Sequence, residues 1–344
     1  MPKAKEYIYR PARDGDGKVN VDALGSLVLA EEAEPKKMEG DRILYIHEPP
    51  PSPMAAKPGI LILMDGQREV MPPETDIPST PTILDGLYES KQLAPQVSVF
   101  IPPGPEGREH EYACSDDFTA FLNQKLIPLL RMAPAEGGFG CSDHREQTTI
   151  GGTSLGGLAA THAALSHPET FGNVIAQSPG FWWYRGWEDI NEAERFNSTN
   201  GREAGAGSMA WLDNSSYPKY DPKHSINFYV EGGEKEGAPP NFPPAKETNT
   251  LFKERLLERE YQHTVLNSHM TEGEHSERFW QANKASALVA LQPSPELLAA
   301  REINGKFRAG VPHRDPTPAA SVTAAETRED DSSMTPLQTT LKPQ

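Results

Sequence analysis

The chain has 344 residues, with 49 Asp and Glu against 33 Lys and Arg, and a formal net charge of −16. Such an acidic balance lacks the basic footprint that nucleic-acid binding needs, and it equally disfavours electrostatic docking on an anionic membrane. Its two cysteines, Cys114 and Cys141, make neither a disulfide framework nor a zinc spacing, and 33 Pro with 28 Gly imply that part of the chain is loop or tail.

Residues 1–40 are polar and mixed, an N-terminal extension in which 19–29 offers an edge strand. The opening Met1-Pro2-Lys3-Ala4-Lys5-Glu6 is charged and no long apolar run follows it, which argues against a secretory signal and makes the cytoplasm the expected address. The longest apolar run, Gly59 to Met64, is far too short to span a membrane. Arg42–His47 reads as a strand, followed by the stiff connector Pro49, Pro50, Pro51 and Pro53.

A catalytic domain is expected over 41–293. Continuous apolar runs at 59–64 and 96–101, with further strand patterns at 148–152, 173–178, 225–230 and 263–267, have the character of strands buried on both faces. Helical patterns lie between and after them, at 83–91, 116–132, 155–166, 249–260 and 276–291. This alternation predicts an α/β three-layer sandwich, a mostly parallel central sheet with helices on both faces. Residues 184–224 are rich in Gly, Asn and Ser, and a lid-like insertion is expected there. Ser294-Pro295-Glu296 has the cap-then-proline form of a helix start and Asn304-Gly305 that of a helix end. Beyond Arg308 the composition cannot bury enough apolar surface to fold, and a disordered tail is expected.

Gly152-Thr153-Ser154-Leu155-Gly156 matches G-x-S-x-G. The pattern is weak alone. Its setting between the strand pattern 148–150 and a helical apolar face is that of a nucleophile elbow, whose tight backbone requires small residues two positions either side. The following helix would aim its N–H groups and positive dipole end at the reacting centre. A serine hydroxyl also needs a base. In this fold the base follows the last strand, and His275 in Thr271-Glu272-Gly273-Glu274-His275 lies just before a helix. His269 is the near competitor, but it continues the strand, and His162 and His167 lie on or after the elbow helix. The orienting acid is expected after the preceding strand, where Val230-Glu231-Gly232-Gly233-Glu234-Lys235-Glu236 offers three carboxylates: Glu236 first, then Glu234, then Glu231. The backbone N–H groups of Leu155 and of Gln67, in the loop Met64-Asp65-Gly66-Gln67, are the expected oxyanion donors.

With these residues in hand the chain resembles the enterochelin (enterobactin) esterase family, an esterase-D-like branch of the α/β-hydrolases. The resemblance rests on LILMDGQ (61–67), REHEYACSDDF (108–118), GGTSLGGLAATHAAL (151–165), HPETFGNVIAQSPGFWW (167–183), VEGGEKE (230–236) and GEHSERFW (273–280), in the family's order. It implies an α/β-hydrolase fold, Ser154 as nucleophile, His275 as base, Glu236 at the family's acid position, an acyl-enzyme, and a catecholate siderophore ester as substrate. No cofactor is implied; iron would arrive with the substrate. Asp65, Gly66, Arg108, Trp182, Trp183 and Trp280 are the expected substrate-facing set. The side chains of Asp65 and Gln67 also suit holding their loop in shape, Arg108 an ion pair with Glu111, and Trp280 packing below His275. Arg68, Arg108, Arg185, Lys235 and Arg278 are candidates to offset the repulsion between an acidic chain and an anionic ferric catecholate. A general or feruloyl-type carboxylesterase, an acyltransferase and a non-catalytic hydrolase-fold binding protein are the alternatives, and a homodimer is compatible with the sequence.

Overall fold

Six consecutive buried residues, Gly59–Met64, form the strand around which the sheet is built. Neighbouring side chains in a strand point to opposite faces. Ile60, Ile62 and Met64 therefore enter one core cluster, while Leu61 and Leu63 enter another on the far face. Each such side chain contributes about 1.5–3 kcal/mol by leaving water. The computed structural model describes residues 4–35, 38–51, 56–183, 209–213, 217–236, 244–261 and 265–307. The tail from 308 lies outside them, as does most of the expected lid, 184–208 and 214–216.

Among the described residues nine strands make one sheet: β1 (Lys5–Arg10), β2 (Ser26–Leu29), β3 (Arg42–His47), β4 (Gly59–Met64), β5 (Gln96–Ile101), β6 (Thr148–Thr153), β7 (Asn173–Gln177), β8 (Asn227–Gly233) and β9 (Val265–Thr271), in the order β2-β1-β3-β5-β4-β6-β7-β8-β9. The first three strands pair antiparallel, with β3 running antiparallel to β5. From β5 onward every neighbour is parallel. The helices are α1 (Gly66–Val70), α2 (Thr80–Glu89), α3 (Arg108–Tyr112), α4 (Asp116–Phe121), α5 (Ile127–Arg131), α6 (Leu155–Ser166), α7 (Ala245–Glu258), α8 (Glu277–Leu291) and α9 (Pro295–Phe307).

The helical pattern over 116–132 is realised as α4 and α5 joined by a π turn, Leu122–Leu126. Ser115 caps its start by accepting from the Phe118 N–H at 3.2 Å. Ser294 likewise accepts from the Leu297 N–H at 3.0 Å, and α9 runs past Asn304-Gly305 to Phe307. No helix among the described residues is long and apolar enough to cross a membrane.

Candidate active site

All the expected catalytic residues follow carboxyl ends of strands in the parallel run β6-β7-β8-β9: Ser154 after β6, Glu236 after β8 and His275 after β9. That edge of an open α/β sheet is where loops converge and helix N-termini point.

Ser154 has φ 55° and ψ −124°, a left-handed backbone that a non-glycine residue adopts only when its surroundings impose it. They do so here by four main-chain bonds. The Ser154 N–H donates to the Gln177 carbonyl at 3.0 Å, and the Ser154 carbonyl accepts from Gly157 at 3.0 Å, Leu158 at 3.2 Å and Gly180 at 2.8 Å. A Cβ on Gly152 would lie 2.6 Å from the Gly156 carbonyl carbon, so small residues two positions either side of the serine are a steric requirement. Leu155 is the first residue of α6, a position whose N–H has no intrahelical acceptor.

The second donor loop is as tightly defined. Asp65 is also left-handed, at φ 55°, and its N–H donates to the Tyr112 hydroxyl at 3.0 Å. Gly66 follows because a Cβ there would come 2.3 Å from the Phe100 carbonyl carbon. Gln67 is the second residue of the short helix α1, so its N–H too faces out of the helix start. The Asp65 carboxylate is buried and held by Arg108, whose Nε lies 2.8 Å from Oδ1 and whose Nη2 lies 2.9 Å from Oδ2. Arg108 Nη2 also donates to the Thr153 carbonyl at 3.2 Å, one residue before the serine. The expected pairing of Arg108 with Glu111 is corrected by this geometry: Glu111 pairs with Arg42, reaching across from β3, because α3 turns Arg108 toward the β4 loop instead.

Around the base, three carboxylates in sequence become three environments. Glu236 Oε2 is 3.1 Å from His275 Nδ1. Its Oε1 accepts from the Ser178 hydroxyl at 2.5 Å and the Gly233 N–H at 2.7 Å. Trp280 Nε1–H donates to Ser178 Oγ at 2.7 Å, and the Trp280 ring meets the His275 ring edge-on at 4.9 Å between centroids. Donors thus run in one direction, from Trp280 to Ser178 to Glu236, and leave Glu236 Oε2 for the imidazole. The loops that carry Glu236 and His275 are zipped together by the Glu234 N–H on the Thr271 carbonyl at 2.9 Å and the Lys235 N–H on the Gly273 carbonyl at 3.0 Å. Glu234 itself is exposed. Glu231 lies inside β8, 1% exposed, where its Oε1 accepts from Gln177 Nε2 at 2.7 Å. Burial pushes its carboxyl up to about 7. His269 lies inside β9 in register with Glu231, its ring stacked on Tyr229 at 4.7 Å.

Gly180, bonded to Ser154, leads into Phe181, Trp182 and Trp183. Phe181 and Trp183 are buried, and Trp182 is half-buried and packed against the same core. Trp211 Nε1 donates to the Phe181 carbonyl at 3.1 Å, tying the described part of the expected lid to this segment. Of the candidate cations, Arg108 holds Asp65, Lys235 lies 3.2 Å from Glu272, and Arg278 holds both Glu74 and Asp76. Arg68 is exposed on α1, and Arg185 falls outside the described residues. Among the described residues no group of three or more His, Cys, Asp or Glu side chains is disposed to hold a metal ion. Sequence reasoning gives Ser178 and Gln177 no role; the signal available is a second small-residue turn, Ser178-Pro179-Gly180, after a buried strand.

A mostly parallel sheet carrying a strained serine at a strand-to-helix elbow defines an α/β-hydrolase fold. The chain belongs to the Esterase family, described as "Putative esterase", whose model matches residues 36–291. It is 39% identical over 103 residues to the iron(III) enterobactin esterase of Escherichia coli K12, covering 29% of this chain and 24% of that one. It is 30% identical over 185 residues to the iron(III) enterobactin esterase of Dickeya dadantii, covering 53% of this chain and 40% of that one. The enterobactin esterase FES of Shigella flexneri, crystallised with 2,3-dihydroxy-N-benzoyl-serine, superposes with a TM-score of 0.56 at 22% identity, over 84% of this chain and 58% of that one. The matches therefore span well under two thirds of each relative's length.

Proposed function

We propose that this protein is a serine ester hydrolase acting through Ser154, His275 and Glu236. The observation that carries this reading is the left-handed Ser154 at the start of α6, on the same sheet edge as a His275 whose Nδ1 is held by Glu236. With Nδ1–H donated to the carboxylate, Nε2 keeps the lone pair that a base needs. Ser154 Oγ attacks the ester carbonyl as His275 takes its proton. The N–H groups of Leu155 and Gln67 stabilise the oxyanion, since donors fixed in advance need no reorganisation as charge develops. The tetrahedral species collapses with His275 returning the proton to the departing alcohol, which leaves an acyl group on Ser154. A water deprotonated by His275 then attacks that acyl group and releases the acid.

The substrate class follows from two supports. The relatives named above are enterobactin esterases, and the half-buried Trp182, two residues after the Gly180 bonded to Ser154, suits contact with an aryl acyl group. We therefore assign a catecholate siderophore ester as substrate. One observation favours a second reading, a general aryl esterase: Arg108, Lys235 and Arg278 are each paired with carboxylates, leaving fewer cations for a highly anionic ferric complex.

The test is turnover of ferric enterobactin, 2,3-dihydroxybenzoyl-serine esters, methyl ferulate and p-nitrophenyl acetate by the wild type and Ser154→Ala. Catecholate esters should give the highest kcat/KM, and Ser154→Ala should hydrolyse none. Equal or higher kcat/KM on the uncharged esters would select the second reading. Undiminished hydrolysis by Ser154→Ala would overturn both.

A further inference from the structure

A buried charged cluster ties the helix of the oxyanion loop to the helix after the base loop. Glu69, on α1, is 3% exposed, and Lys284, on α8, is fully buried. Lys284 Nζ donates to Glu69 Oε1 at 2.8 Å. Glu69 Oε2 accepts from Gln281 Nε2 at 3.1 Å and from the Thr80 hydroxyl at the start of α2, and Thr80 Oγ1 also lies 3.1 Å from Gln281 Oε1. Thr80 and Gln281 are buried as well.

Of the three helices that this cluster joins, α1 and α8 are the two that matter for the chemistry. α1 carries Gln67 N–H, two residues before Glu69. α8 begins directly after the base loop, with Ser276 accepting from the Phe279 N–H at 3.4 Å. A helix of five residues cannot hold its own orientation, because isolated short helices are marginal in water. From one side α1 is fixed at Asp65 by Arg108. From the other it is fixed at Glu69 by Lys284. An apolar pair of the same volume would fill this site at equal or better stability, since desolvating two charges costs as much as their attraction returns. What an apolar pair cannot supply is direction: three donors converging on one carboxylate admit one placement of α1.

We propose that Glu69 and Lys284 are positioning residues that set the oxyanion donor loop relative to the base loop, and that the cluster serves this alignment rather than stability. This rests on the hydrolase reading above. Single replacements leave an unpaired buried charge and can unfold the chain, so the decisive variant is the double replacement Glu69→Leu with Lys284→Met. It is read by thermal unfolding, by kcat and KM on an aryl ester, and by amide hydrogen exchange over residues 66–70. Exchange does not depend on turnover, so it tests the alignment even if the wild type proves inert toward every ester.

The double variant should melt at or above the wild-type temperature, exchange its 66–70 amides at least tenfold faster, and lose at least tenfold in kcat with KM within threefold. Thr80→Val, which removes one donor, should give a smaller loss of the same kind. A double variant with wild-type exchange at 66–70, or with kcat within twofold of wild type, would overturn the proposal. So would one in which melting temperature and activity fall together while exchange accelerates throughout the chain.

Discussion

Replacing Glu236 by Gln probes the imidazole's tautomer with almost no change of shape. The structure dictates how the new amide must sit. Two donors, the Ser178 hydroxyl at 2.5 Å and the Gly233 N–H at 2.7 Å, already point at Oε1. The Ser178 hydroxyl has no second choice, because its oxygen is accepting from Trp280. The oxygen of the introduced amide therefore takes the Oε1 site, and its NH2 faces His275 Nδ1, 3.1 Å from the present Oε2. Nδ1 must then accept, the ring proton moves to Nε2, and the lone pair that would take the Ser154 proton is gone. The wrong tautomer in a triad costs about 10⁴ in kcat, equivalent to roughly 5 kcal/mol of barrier. KM should change little, since the Glu236 side chain is 7% exposed and its oxygens are taken by Ser178, Gly233 and His275. Steady-state hydrolysis of an aryl ester by purified Glu236→Gln, with thermal unfolding to verify the fold, is the assay. A folded variant whose kcat stays within about tenfold of wild type would refute the tautomer argument and move the orienting role elsewhere.

Three further outcomes follow. His275→Ala should lose several orders of magnitude in kcat, as linked triad members do, whereas His269→Ala, removed from a ring stacked on Tyr229 within β9, should stay within about threefold; the reverse pattern in steady-state kinetics would move the base. Arg108→Met leaves the buried Asp65 carboxylate without its partner and should destabilise the fold by about 3 kcal/mol, the lower end for a broken buried pair, as measured by denaturant unfolding. Glu231 has a folded pKa raised to about 7 from an ordinary 4.5, so the native state keeps a proton that the unfolded chain releases. Stability from this group is complete below the unfolded value and is lost as pH rises through about 7, a fall of about 3 kcal/mol at most. Glu231→Gln should flatten that slope and be the more stable protein at pH 8; an unchanged pH profile would contradict the burial argument.

Strands buried on both faces announce themselves in the sequence. β4, β5 and β7 are near-continuous apolar runs because neither side chain direction meets water, and β6 is recognisable beside the glycines of the elbow. β1 escapes notice for the opposite reason: Lys5–Arg10 lies near an edge, only Ile8 and Tyr9 are buried, and Lys5 and Glu6 face solvent. α1 and α3, five residues each, are too short to display a period. This is why the partner of Arg108 is misread, since R-x-x-E in isolation suggests a local pair and only the turn of α3 directs the guanidinium to Asp65. Ser154 and His275, the proposed nucleophile and base, are legible because each sits between a strand's end and a helix. Choosing among the carboxylates needs one more fact, that β8 continues to Gly233 and so carries Glu231 into the sheet while Glu236 emerges on the turn. Ser178 with Trp280, and Glu69 with Lys284, are pairs more than a hundred positions apart, which no local pattern encodes.

The most direct test of the account is to locate a fluorophosphonate adduct by mass spectrometry and time its formation. The account predicts one adduct, on Ser154, formed readily by the wild type, at least a thousandfold more slowly by His275→Ala, and not at all by Ser154→Ala. An adduct on another side chain, or equal labelling rates in wild type and His275→Ala, would contradict it.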